Sequence, residues 1–354
     1  MSHDDQVNAS GPQKTIVEGL TPASPAHKPL DVKRETNYFD ELDKARDIHS
    51  DAVAVVSDTL SAIRNDRWFS EQRVELLIQN IIASIRRNPQ ALLSLTQIKG
   101  LEEYTYSHSI NVCFLVTIVA HALGYSEDRL FEAALGGMLH DIGKMKVSDS
   151  ILNKPGKYTE WEFNAMKKHP EHGYELVRYK NKIPDLSKKV IYQHHERFNG
   201  NGYPQGLKGE AIDEIALIGA VADVYDALTT NRTYRSAVLP NMAIAMLFEG
   251  RDKSFSKKIV ERFTKQMGVY PVGSFVKLKT GEMGVVTRVN KDNLLAPILL
   301  VLFSKDKKRL AKALEYDLAK MQTFENGADY RIECSLNPKI YRVDVGACIK
   351  GYGF

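Results

Sequence analysis

The sequence is poor in cysteine, in charge of one sign and in long apolar runs. Its 3 cysteines, Cys113, Cys334 and Cys348, are odd in number and lack CxxC spacing. They give no basis for a disulfide framework, and free thiols point to a reducing compartment. The 48 basic and 44 acidic residues leave a net charge of only +4. That balance offers no electrostatic case for nucleic acid as the main partner, although a local cationic pocket is compatible with it. No run reaches the ~18 apolar residues of a membrane span; INVCFLVTIVAHALG and ILLVLF come nearest and are too short. The first residues also lack the charged-then-apolar order of a signal peptide. The expectation is a soluble, cytoplasmic protein with no membrane contact.

What is present is a chain of 354 residues, 43% hydrophobic and 26% charged, long enough for about two domains and a sizeable core. Residues 1–36 are rich in Pro, Ser, Gly and charge, too polar to order alone, and read as a flexible arm. From Tyr38 the pattern is helical. Val74, Leu77, Ile78, Ile81, Ile82 and Ile85 form one apolar stripe that stops at Asn88-Pro89, a core face at helical spacing. HSINVCFLVTIVAHAL is apolar nearly all round and is expected to be central, with Gly124 past its end. SEDRLFEAALGGMLHDIG opens with Ser126 as N-cap and two acids in the first turn. Further helices are expected at about 160–180 and 184–196, from 212 and from 240, with no strand before about 268. After Pro271, GSFVKLKTGEMGVVTRV alternates around Thr280-Gly281 like a hairpin. APILLVLFS and the tail from Arg331 supply further short strands. The class is mainly α with a smaller β-rich C-terminal region. Its divisions are 1–36, N-terminal helices at 37–95, a helical domain at 96–268 and the β-rich part at 269–354.

Histidine and aspartate are concentrated in the helical region. His108 lies in the central helix, His140-Asp141 ends the next, His169 sits in KKHPEHG, His194-His195 precede a glycine-broken loop, and Asp223 sits in AVADVYDAL. An isolated buried histidine is usually a satisfied core residue. A set of imidazoles and carboxylates spread over several helices of one domain instead suits a divalent metal such as Fe, Mn, Ni, Zn or Co.

The ordered motifs HDIGK, HPEHG, HHERFNGNGYP and ADVYDALTTNRTYR resemble the HD-GYP family of the HD superfamily of metal-dependent phosphohydrolases. The resemblance is strongest over residues 100–240. It implies an all-helical HD-type domain and cyclic-di-GMP phosphodiesterase activity. Carried over residue by residue, it assigns metal ligands to His108, His140, Asp141, His169, His194 and Asp223, with His195 as an outer ligand or substrate contact. Members with a third metal have a glutamate one turn before the first histidine. Here that position is Tyr104, with Glu102 and Glu103 out of phase, so two divalent ions, Fe or Mn, are expected. Gly202-Tyr203-Pro204 matches the family's loop, which is linked to contacts with diguanylate cyclase (GGDEF) domains; a plain turn packed on the core is the competing reading. A homodimer is also admitted.

Substrate contacts are expected from Lys144, His195, Asp226, Arg232 and Arg235, of which the two arginines and His195 match positions that the resemblance implies. Lys144, one turn after His140, is within reach of a phosphate at the metals and joins Asp141 as a catalytic residue. Asp226 shares a helical face with Asp223, and the two arginines present guanidinium forks suited to phosphate. Two ions sharing a water lower its pKa and yield hydroxide for in-line attack on phosphorus, opening cyclic-di-GMP to linear pGpG, with hydrolysis on to GMP left open. Two other readings stay open: a catalytically weak cyclic-di-GMP receptor, and a phosphodiesterase for another cyclic dinucleotide such as cyclic GMP-AMP.

Overall fold

A computed structural model describes residues 38–97, 104–231, 236–321 and 328–349. The expected arm at 1–36, Glu102, Glu103, Arg232 and Arg235 lie outside the described residues. Helix α1 (Tyr38–Arg64) packs across α2 (Glu71–Arg87), α3 (Pro89–Leu95) and the central α4 (Tyr104–Ala122). The predicted stripe on α2 is buried from Val74 to Ile85, each such side chain contributing roughly 1.5–3 kcal/mol of transfer free energy. Asn88 ends α2 in an extended conformation, and its side chain accepts from Gln90 N at 3.0 Å, with Pro89 following as the first residue of α3. Beneath α1, the buried Glu41 carboxylate takes Arg87 Nε at 2.7 Å, Arg87 Nη2 at 2.9 Å and Ser84 Oγ at 2.7 Å. This cluster ties α1 to α2.

Helix α4 is buried from His108 to Ala120, as its apolar circumference predicts. It packs on α5 (Glu127–Leu139), whose N-cap Ser126 accepts from Arg129 N, and on α10 (Glu214–Thr229). Between them the chain runs through a 3-10 turn (Ile142–Lys146), α6 (Asp149–Leu152), α7 (Glu160–Met166), α8 (His169–Val177) and α9 (Asp185–Gln193). The single helix expected at 160–180 is thus two. Pro170 has no N–H for the carbonyl of Met166, and the helix breaks before it. Helices α11 (Pro240–Glu249) and α12 (Lys257–Met267) complete the helical body.

Among the described residues no strand precedes Phe275. Strands β1 (Phe275–Leu278), β2 (Met283–Arg288), β3 (Ile298–Phe303), β4 (Arg309–Asp317) and β5 (Ile332–Leu336) form an antiparallel sheet in the order β4-β3-β2-β1-β5. The Thr280-Gly281 hairpin joins β1 to β2, and Gly281 has φ +106, a conformation glycine adopts without strain. One face of the sheet, with Val276, Leu278, Val286, Leu299 and Val301, belongs to the core of the helices. The other, with Phe275, Val285, Leu302 and Phe303, is covered by the C-terminal segment that includes Val343 and Cys348, the latter on the short helix α14 (Val345–Ile349) that follows α13 (Leu318–Met321). Both faces are covered, which explains the unbroken apolar run ILLVLF. No helix among the described residues is long and apolar enough to cross a membrane.

Candidate metal centre

The structure brings His108, His140, Asp141, His169, His194, His195 and Asp223 to one place. Their donor atoms fall into two groups: Asp141, His169, His194 and His195, and His108, His140 and Asp223. Asp141, buried after α5, lies between the two. Its Oδ1 is 3.2 Å from His169 Nε2 and 3.8 Å from His194 Nε2. Its Oδ2 is 3.2 Å from His140 Nε2, 3.5 Å from His108 Nε2 and 2.5 Å from Lys144 Nζ. Asp223 on α10 places Oδ1 3.2 Å from His108 Nε2 and Oδ2 3.8 Å from His195 Nδ1.

Helix ends set the orientation of the imidazoles. The last carbonyls of a helix have no partner within it. His140 Nδ1 donates to Gly137 O at 2.8 Å, and His194 Nδ1 faces Val190 O and Ile191 O at 3.1 Å each. His169 Nδ1 donates at 2.8 Å to Met166 O, the carbonyl that Pro170 leaves without a helical partner. A carbonyl only accepts, so each Nδ1 carries the proton and each Nε2 turns a lone pair inward. His108 uses a carboxylate instead: its Nδ1 is 2.8 Å from Asp226 Oδ2, and Asn111 Nδ2 donates to Asp226 Oδ1 at 2.8 Å.

These inward lone pairs are the test of fit for a metal. His169 Nε2 and His194 Nε2 stand 3.2 Å apart, a repulsive approach unless a cation lies beside both. Burial pushes the His194 pKa well below its ordinary value, with His140 and His169 adding to the effect, which leaves its Nε2 lone pair free for a cation. Among the described residues, His140 Nε2 and Asp141 Oδ1 are buried without a hydrogen bond, and such orphans are rare in native interiors. Burial opposes ionisation of Asp141, but His140 and Lys144 hold its carboxyl well below the usual range. Burial would lower His108 too, yet the Asp223 and Asp226 carboxylates bring it up to about 9. Imidazole nitrogen and carboxylate oxygen are the donors that divalent transition metals take. The residues fit a metal centre.

The comparisons agree with this geometry. The HD domain family matches residues 79–259. The cyclic di-GMP phosphodiesterase PA4108 of Pseudomonas aeruginosa is 40% identical over 75% of this chain and 64% of its own length.

The chain belongs to the HD-GYP family.

A 3'3'-cGAMP-specific phosphodiesterase of Vibrio cholerae is 31% identical over 51% of this chain and 35% of its own. The chain thus spans less than two thirds of either relative. The solved HDG"Y"P protein Bd1817 of Bdellovibrio bacteriovorus shares the fold, with a TM-score of 0.52 and 18% identity over 71% of this chain and 76% of that one. In this HD-GYP chain the namesake loop is half-buried: Tyr203 stacks on His195 with ring centroids 4.7 Å apart at 26°.

Three further features complete the site. Lys144 reaches Asp141 and keeps its side chain 23% exposed. Asp226, expected to meet substrate, is buried and set behind His108, on the Nδ1 side away from the inward-facing Nε2. Its carboxylate is taken up by the imidazole it orients, an arrangement common behind metal-binding histidines. Gly143 and Gly173 were not read from the sequence as site residues. A Cβ on Gly143 would stand 1.9 Å from His169 O and 2.4 Å from Gly173 N. That close approach of the 3-10 turn to α8 brings His169 to Asp141. The signal lay in HDIG and HPEHG, each ending in glycine.

Proposed function

We propose that the chain is a metal-dependent phosphodiesterase that opens cyclic-di-GMP to linear pGpG. The observation that carries this reading is Asp141, whose two oxygens serve two separate groups of buried imidazoles. Divalent ions would be held by Asp141 together with His108, His140, Asp223, His169 and His194, two ions are expected, and iron or manganese fits the nitrogen and oxygen donors. Divalent ions supply Lewis acidity there, lowering the pKa of water and offsetting charge on phosphate oxygens. The chain's own residues do the rest. Lys144 holds Asp141 and presents an ammonium to a phosphate oxygen, while His195, 17% exposed, lines the open side. Buried walls keep bulk water from the donors. The names of relatives support a cyclic dinucleotide as substrate, and three buried free cysteines support a reducing, cytoplasmic setting.

The test is product chromatography with anaerobically purified protein, alongside metal content per chain. Turnover to pGpG with close to two ions is expected, and neither with Asp141→Ala. Binding of cyclic-di-GMP without turnover at saturating metal would favour the receptor reading. Faster turnover of cyclic GMP-AMP would favour the second substrate, a reading motivated by the Vibrio cholerae relative.

A further inference from the structure

The loop after His195 is folded back on the residues that start it. Phe198 N donates to Ser254 O at 3.0 Å, Gly209 N donates to Phe198 O at 2.9 Å, and Asn199 and Lys208 form a β-bridge. Inside this closed loop lies Glu196, 1% exposed. Glutamate is almost never fully buried unless something pairs with it. Here the partners are backbone amides: Gln205 N donates to Oε1 at 2.7 Å and Leu207 N to Oε2 at 3.0 Å. The two donors flank Gly206, whose φ of +67 turns the chain around the carboxylate, a small anion-binding nest. The return pass is tight: a Cβ on Gly202 would lie 2.3 Å from Arg197 N.

What this clamp holds is Tyr203. Its N–H donates to His195 O at 3.2 Å, and its ring lies on the His195 imidazole. His140, His169 and His194 are each oriented by a helix carbonyl. Among the described residues no such carbonyl meets the His195 ring, which has the Tyr203 face on one side and Asp223 Oδ2 3.8 Å from its Nδ1. We propose that Glu196 is a positioning residue: its buried carboxylate clamps the turn at Gln205–Leu207, keeping Tyr203 on His195 and that imidazole turned to Asp223. The kinetic consequence rests on the phosphodiesterase reading above; the clamp itself does not.

The experiment compares metal-loaded full-length protein with Glu196→Gln, Glu196→Ala and Tyr203→Ala. Gln keeps the shape and one carbonyl acceptor, whereas Ala removes both. Amide hydrogen exchange at Gln205 and Leu207 is expected to quicken about tenfold in E196Q and about 100-fold in E196A, with α4 and α10 unchanged and metal retained. KM for cyclic-di-GMP should rise by about the same factors, with kcat less affected, and Y203A should reproduce the KM rise. Wild-type exchange in both Glu196 variants would overturn the clamp, as would acceleration spread through every helix. Wild-type KM in Y203A would overturn the link to His195. If the unaltered protein hydrolysed no cyclic dinucleotide, the proposed function would fail while the exchange data still decided the clamp. If E196A did not fold, E196Q and Y203A carry the same decision.

Discussion

At the scale of single residues, the donors of the metal centre depend on what stands behind them. His108 is held by Asp226, and Asp226 by Asn111. Asp226→Asn keeps the volume and removes the charge that fixes the imidazole. Metal affinity is expected to fall about 10- to 100-fold, read by chelator competition; an unchanged affinity would remove Asp226 from this role. Lys144 stands on the other side of the reaction. If its ammonium meets charge that grows as the phosphate ester breaks, Lys144→Ala lowers kcat by about 100-fold and leaves KM nearly unchanged. A rise in KM alone would make Lys144 a ground-state contact.

At the scale of elements, the site is assembled where helices end. The break before Pro170 supplies a carbonyl for His169, and the 3-10 turn after Asp141 meets α8 across two glycines. Gly143→Ala puts a methyl into the backbone of α8. Overpacking of this kind costs about 3 kcal/mol, and here the parts forced apart carry Asp141 and His169. A lower melting temperature together with lost metal is expected. A variant with reduced stability and full metal content would show that the two segments part without moving the ligands.

For the whole molecule, the sheet is not an independent appendage. Val276, Val286, Leu299 and Val301 lie in the same core as α4 and α10. Gln90 on α3 both donates to Val289 O and accepts from Val289 N, at 3.0 Å each. Val286→Asp buries an unpaired charge between the two parts, a class of change that costs upwards of about 4 kcal/mol. The expected result is one cooperative calorimetric transition, shifted down as a unit. Separate transitions, with only the smaller one shifted, would mean that sheet and helices unfold independently.

Periodicity made the helices and the hairpin legible in the sequence, because the apolar stripe of α2 and the alternation around Gly281 are properties of neighbouring residues. The candidate ligand set came from the resemblance of the ordered motifs to a family, and the fold brings those imidazoles and carboxylates together. What the sequence left undecided depends on contacts between distant segments. The stripe on α2 named a buried face but not its partner. HPEHG named a histidine but not the carbonyl that Pro170 frees for it. Asp226 shares a face with Asp223 and was read as a substrate contact, and the contact of its carboxylate with His108 comes only from the packing of α10 against α4. Glu196 reads in the chain as one more charged loop residue. Tertiary structure alone closes the loop over it, because the amides that meet its carboxylate come 9 and 11 residues later, and no local pattern encodes a turn returning that far.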